Sequence, residues 1–461
     1  MSGRLQAIPY RPDTAPLCAA LAGEPWRIWL DSGPPEARQG RYDILVADPF
    51  RTLVTRGAHT WLVDHRGGAI ERRADDPFDL LRAALGERQP APAGLPFAGG
   101  AVGLFAYDLA RRIERLPAQA VQDTAEPDMA VGLYDWALVV DHAARRSWLV
   151  SAGRDPHTAA RWPELVARLS DPPPAPPAAP FHLRGRPRPH LDAAAYAERF
   201  ARVQAYIRAG DCYQVNLARR FEAPCSGDPW QAYLRLRRVN PAPFAAWLDL
   251  PGLQVLSSSP ERFLRVRDRQ VLTQPIKGTR ARHPDPAEDA RRRAALQASA
   301  KDRAENVMIV DLLRNDLSRS CAPHSVRVPR LWGVESFARV HHLVSDVTGR
   351  LAGGRDALHL LRGCFPGGSI TGAPKIRAVE IIDELEGLRR GVYCGSIAWL
   401  GFNGDMDSNI AIRTITHAGG RLRFWAGGGI VADSRCEAEY RETLDKAAAL
   451  LQALEETGDP A

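Results

Sequence analysis

From Asp171 to Pro180 the chain reads Asp-Pro-Pro-Pro-Ala-Pro-Pro-Ala-Ala-Pro, and Arg-Gly-Arg-Pro-Arg-Pro occupies 184–189. Proline has no backbone N–H to give to a sheet ladder, and its ring clashes inside a helix. Such a stretch therefore runs as an extended linker or surface crossing. It divides the sequence into a region 1–170, a Pro-rich linker 171–190 and a region 191–461. Regular structure has to be built on either side of it, and no repeat relates the two sides.

Before the tract, short β-like runs (Trp26–Leu30, Tyr42–Ala47, Trp61–Val63, Leu133–Val140) alternate with loops and one helical stretch near Asp76–Leu85. After it a helix is expected from Asp192, a capping residue, to Gly210. Tyr196, Phe200, Val203 and Ile207 recur along one face of it. Further strands are expected near 212–221, 244–249, 253–257, 262–267, 270–276, 393–402, 408–416 and 421–426. Helices are expected near 286–318, 355–363, 374–385 and 434–456. This mixture predicts an α+β fold with large antiparallel β-sheets.

With 45% hydrophobic and 25% charged residues over 461 positions, the chain can bury a sizeable core. Its net charge of +7 is spread among interleaved acids and arginines, which reads as a soluble surface and not as a nucleic-acid footprint. The seven cysteines are scattered singly with no CxxC pair, which indicates reduced thiols in a cytoplasmic protein. No apolar signal core and no 18-residue apolar run occur, so neither secretion nor membrane spanning is expected.

Of 61 basic residues only four are lysine: Lys277, Lys301, Lys375 and Lys446. A guanidinium stays protonated, whereas an ε-amine can be driven neutral and act as nucleophile or base. Lys277 sits in Thr273-Gln-Pro-Ile-Lys-Gly-Thr279, where the backbone bends between Pro275 and Gly278. A three-residue hairpin loop at 268–270 would pair Arg267 with Val271 and set Glu261 opposite Lys277. A two-residue turn would shift that register by one. Seen locally, the pair could equally be a surface salt bridge worth under ~1 kcal/mol.

Glu305 shares a helix face with Met308, Ile309 and Leu312, and a carboxylate on an apolar stripe calls for a cation or hydrogen bonds. In Ala426–Lys446, Ser434 and Glu437 have capping-box spacing, and Glu439 and Glu442 project from one face. Glu305, Glu439 and Glu442 together could form an all-carboxylate site for a hard divalent ion, most simply Mg²⁺. The alternative is a solvated acidic face with a Glu442–Lys446 pair. Phe365–Lys375 is a second glycine-rich approach to a helix and lacks the Walker spacing. Lys301 reads as part of a helix start, and Lys375 as a support for that glycine-rich loop.

Several blocks in order carry a wider resemblance: Ser259-Pro-Glu-Arg-Phe, Pro275-Ile-Lys-Gly-Thr, Asp302-Arg-Ala-Glu-Asn with Val310–Asp316, Val340-His-His-Leu-Val-Ser, Phe365–Lys375, Ile412-Arg-Thr and Ala426–Lys446. Taken together they resemble the chorismate-utilising enzymes, the family of anthranilate synthase component I, isochorismate synthase and aminodeoxychorismate synthase component I. The resemblance implies antiparallel sheets forming a sandwich flanked by helices. Within the family, lysine at 277 and glutamine at 214 match the aminodeoxychorismate branch. Anthranilate synthases carry alanine at the first position, and isochorismate and salicylate synthases carry lysine at the second.

The resemblance further implies chorismate as substrate and Mg²⁺ on Glu305, Glu439 and Glu442. It makes Lys277 the nucleophile and Glu261 the general acid, and places His342 near the ring. Gly278 and Thr279 would hold the ring carboxylate, and Tyr393, Arg413 and Gly428 the enolpyruvyl carboxylate. Lys277 has to be neutral to attack, which calls for partial desolvation and nearby positive charge. No glutaminase elbow is encoded, so a separate glutamine amidotransferase subunit would supply ammonia. Ser32, Arg41, Tyr42, Pro243, Phe244 and Ala245 match a tryptophan pocket of relatives, although Leu30-Asp-Ser-Gly33 departs from the Leu-Glu-Ser form of feedback-inhibited members. Three rivals stand beside this reading. One is anthranilate synthesis, which Lys277 disfavours. Another is a pyridoxal-phosphate enzyme using Lys277, which leaves the carboxylate cluster unexplained. The third is a non-catalytic, basic binding module, for which Lys277→Ala would be silent and salt-dependent nucleic-acid binding would appear.

Overall fold

In the computed structural model, residues 3–92, 94–174, 177–337 and 340–455 are described. Ala175 and Pro176 of the proline tract, and residue 456 at the expected end of the last helix, lie outside them. Two large sheets, one 13-stranded and one 12-stranded, carry the chain. In the first, Arg27–Asp31, Phe244–Leu250, Leu253–Ser259, Thr414–Ala418, Arg421–Ile430 and Gln214–Ser226 lie side by side. In the second, Ile276–Ala281, Val340–Arg350, Gln270–Thr273, Arg262–Arg267, Met406–Asn409, Ser396–Gly401 and Gly100–Phe105 follow one another. The pairs within these two runs are antiparallel, as expected.

Both sheets take strands from either side of the proline tract: Arg27–Asp31 pairs with Phe244–Leu250, and Gly100–Phe105 with Ser396–Gly401. The sheets pack face to face over Ile28, Val46, Val139 and Leu248 from one and Val102, Leu104, Ala130 and Ile397 from the other. Helices cover the outer faces. Pro77–Leu85, Ala300–Ser318 and Ala357–Cys364 contribute to one outer core, and Pro156–Ser170, Pro229–Val239 and Cys436–Leu454 to the other. Apolar side chains are thus removed from water on both faces of each sheet, the arrangement expected of an α+β sandwich.

Local signals account for most helices. Asp192 accepts from Ala195 N, and Gly210 closes the Ala193–Ala209 helix in the left-handed region. The single helix expected over 286–318 is two, Pro286–Ala298 and Ala300–Ser318, because Ser299 is extended and its side chain accepts from Asp302 N. The Pro156–Ser170 and Pro229–Val239 helices were not anticipated. Each follows an Asp-Pro pair whose aspartate caps it, Asp155 to His157 N and Asp228 to Trp230 N. Gly100–Phe105 also escaped sequence reading, because it is buried on both faces and shows no polar alternation.

Candidate active site

Asp268 and Arg269 both adopt left-handed φ (47° and 65°), and this two-residue turn pairs Arg267 with Gln270 and Val266 with Val271. The three-residue loop is therefore not formed, and the register moves by one. Glu261 and Lys277 are not cross-strand partners. The Ile276–Ala281 strand pairs instead with Val340–Arg350, setting Lys277 opposite Leu343.

The glycine-rich segment brings the two residues together. Lys277 Nζ donates to the Ser369 carbonyl at 3.3 Å, and the Ser369 side chain lies beside Glu261 and favours its charged form. Glu261 is 6% exposed, and burial raises its carboxyl above the ordinary range against the pull of the neighbouring Ser369 side chain and the Lys277 charge. Gly278 sits at a bulge between Lys277 and Thr279 with φ +75°. A Cβ there would approach Asp302 and Leu296 to 2.9 Å, so both backbone conformation and space demand glycine.

Lys277, Glu261, Thr279, His342, Tyr393 and Arg413 line one cavity of about 740 Å³. Gly278, Glu305, Glu439 and Glu442 line it as well, and Gly428 lies between Gly427 and Gly429 in its wall. Thr279 Oγ1 meets His342 Nδ1 at 2.9 Å. Burial, with the charge of Arg413, pushes His342 down to about 4, so it is neutral at neutral pH. Tyr393 stacks on Trp425 at 5.9 Å.

The three carboxylates reach the cavity from two helices, Ala300–Ser318 and Cys436–Leu454. Each is turned to its own partner. Glu305 Oε1 meets Lys277 Nζ at 3.1 Å, Glu439 Oε1 accepts from Ser434 Oγ at 2.6 Å, and Glu442 Oε1 meets Lys446 Nζ at 2.5 Å. With the side chains so turned, no three His, Cys, Asp or Glu among the described residues are gathered tightly enough to hold a metal. The cradle nonetheless fits a hard cation. Glu439 Oε2 is buried without a hydrogen-bond partner. A Cβ on Gly428 would meet Glu439 Oε2 at 3.0 Å and Glu442 Oε1 at 3.3 Å, and one on Gly429 would meet Glu305 Oε1 at 3.5 Å. Burial, with the Glu442 charge adding to it, raises Glu439. Burial would raise Glu442 too, but Lys446 holds it below the usual range.

Several expectations are corrected here. Ser434 makes no capping box with Glu437, because the helix begins at Cys436 and Arg435 occupies the cap position. Its hydroxyl donates to Glu439 instead. The charge nearest Lys277 is the Glu305 carboxylate and not a cation, although the lysine side chain is only 13% exposed. Lys446 pairs with Glu442 as expected but also donates to Gly427 O at 2.9 Å and lines the cavity, as does Lys301. Lys375 spans from Asp316 to the Cys364 carbonyl, tying down the glycine-rich segment. Sequence reasoning missed Ser369 and Asn216, both in the cavity wall.

A second cavity of about 490 Å³ is lined by Arg41, Tyr42, Pro243, Phe244 and Ala245. Ser32 is not on its wall. It is 1% exposed, and its hydroxyl donates to Asp43 at 2.5 Å behind Gly40.

The profile of the chorismate binding enzyme family matches residues 27–452. The chain belongs to that family. Aminodeoxychorismate synthase component 1 of Klebsiella aerogenes is 51% identical over 460 residues, covering 99% of this chain and 100% of the relative. The protein of the same name in Escherichia coli K12 is 48% identical, covering 97% of each chain. The crystal structure of anthranilate synthase component I from Streptococcus pneumoniae superposes with a TM-score of 0.79 at 31% identity, over 89% of this chain and 92% of that one. For a chorismate binding enzyme, a cavity combining cations, a buried carboxyl and an oxygen-rich cradle has complementary chemistry for a dicarboxylate with a leaving hydroxyl. Among the described residues, no helix is long and apolar enough to cross a membrane.

Proposed function

We propose that this chain converts chorismate and ammonia to 4-amino-4-deoxychorismate without eliminating pyruvate, a step toward 4-aminobenzoate and folate. A separate glutamine amidotransferase subunit supplies the ammonia. The observation that carries this reading is that the Lys277 amine and the buried Glu261 carboxyl face one cavity beside three convergent carboxylates.

Glu305, Glu439 and Glu442 would hold Mg²⁺, which when bound fixes the ring carboxylate and draws electron density from the ring. Gly278 and Thr279 contact that carboxylate, and Tyr393, Arg413 and Gly428 the enolpyruvyl carboxylate. Neutral His342 packs near the ring without adding charge. Lys277 Nζ forms a bond to C2 while both ring double bonds shift by one position and the C4–O bond breaks, Glu261 giving its proton to the departing hydroxyl. Ammonia then bonds to C4, and the cationic adduct nitrogen leaves C2 as the neutral Lys277 amine. The new C4 ammonium returns a proton to Glu261, so one water is released per ammonia consumed. The second cavity, where Arg41 lies 4.8 Å over the Tyr42 ring, suits an aromatic amino acid such as tryptophan.

Incubation with chorismate, Mg²⁺ and ammonium is expected to yield a product with the mass of aminodeoxychorismate, and chelation of the metal to stop it. Fluorescent anthranilate in its place, with no lyase added, would overturn the assignment. Because burial favours the protonated form of Glu261, its acid form persists above the ordinary carboxyl range, and kcat should fall as pH rises through that raised value. Glu261→Gln should remove this alkaline limb and lower kcat by about 10²–10⁴. An unchanged limb in the variant would assign the proton to another group.

A further inference from the structure

Asn216 lies on the Gln214–Ser226 strand opposite Gly429 and lines the same cavity. It is 8% exposed, and its side-chain Oδ1 is buried with no hydrogen-bond partner. A buried acceptor left unpaired is costly, and in a binding cavity it marks a place for a donor brought by a ligand. The residue is also rigidly mounted. Its N–H donates to Thr371 O at 2.8 Å, and its carbonyl accepts from Arg390 Nη2 at 2.9 Å. Arg390 holds the Ile370 carbonyl at 2.9 Å as well, next to the Ser369 whose carbonyl accepts from Lys277. The unpaired oxygen thus shares one frame with the segment that holds the Lys277 amine, the kind of preorganisation a reaction needs.

We infer that Asn216 Oδ1 accepts a hydrogen bond from the ammonia that attacks chorismate and points its lone pair at the ring; this rests on the amination reading above. Chorismate has two carboxylates and one hydroxyl, and that hydroxyl is the group Glu261 protonates. Ammonia brings three N–H donors and one lone pair. With the lone pair directed to carbon, an acceptor must hold the molecule from the other side. A neutral amide suits this task. A carboxylate at the same place would favour ammonium, whose lone pair is already bound to a proton.

Steady-state rates against ammonium chloride at fixed, saturating chorismate test the assignment in Asn216→Ala and Asn216→Asp. The KM for ammonia should rise about tenfold in Asn216→Ala, the contribution of one buried hydrogen bond, with the chorismate KM within about twofold of wild type. Asn216→Asp should be no better near neutral pH, although it keeps an acceptor. An unchanged ammonia KM, or an equal rise in the chorismate KM, would overturn the inference. If Asn216→Ala melts well below wild type, the same criterion is applied to Asn216→Ser. The Lys277–chorismate adduct, followed by mass spectrometry without ammonia, should form in the variants as in wild type. Loss of that adduct in the variants alone would also count against ammonia contact. If wild type forms neither adduct nor aminated product, it is the proposed function that fails.

Discussion

Replacing Lys277 with alanine should lower formation of aminodeoxychorismate by about a thousandfold or more, and should abolish any mass adduct formed from chorismate without ammonia. The lysine is part-buried, with Nζ 3.3 Å from the Ser369 carbonyl and 3.1 Å from Glu305, so it faces the cavity from a fixed position. Arginine should not rescue the variant, because its guanidinium does not give up a proton. A Lys277→Ala enzyme that still makes the same product at near wild-type rate would remove the covalent step from the mechanism. If that enzyme made anthranilate, the lysine would prove a determinant of product and not of amination.

The largest loss of stability is expected at Arg390. Its guanidinium and the Glu386 carboxylate are each 1% exposed and meet at 2.7 Å. Arg390 also donates to the Ile370 and Asn216 carbonyls at 2.9 Å, and Glu386 accepts the Ala218 N–H at 2.8 Å. Removing one partner strands a buried charge and leaves those backbone groups short of partners. Arg390→Met should therefore cost about 3–5 kcal/mol. Replacing both residues with apolar ones should cost less than either single change, since no charge is left buried. Urea unfolding of the single and double variants checks this, and a double variant that is the least stable of the three would contradict it. Activity should fall more steeply than stability in Arg390→Met, because the Ile370 carbonyl it anchors is adjacent to Ser369.

Much of the site was legible as residue types at spacings. An amine kept at Lys277 in a chain that otherwise uses arginine, a carboxylate on the apolar stripe at Glu305, and the Glu439–Glu442 pair on one helix face can all be read along the sequence. All of them line the cavity. What failed was geometry carried across a turn. The Glu261–Lys277 pairing depended on hairpin register, and one residue fewer in the Asp268–Arg269 turn removed it. Ser369 and Asn216 gave no signal, since a serine in a glycine-rich loop and an asparagine in a strand are ordinary in sequence. Their importance comes from what they face.

By itself, then, the sequence determined which groups are present for chemistry, the helices whose caps and faces it spells out, and the α+β class. The tertiary structure alone decided that the two sheets share strands from both sides of the proline tract, and that Glu261 and Lys277 meet in one cavity instead of across a ladder. The physical reason is range. Caps, periodicity and proline act over a few residues, whereas the cavity is lined by segments between residues 39 and 446 that only sheet packing brings together.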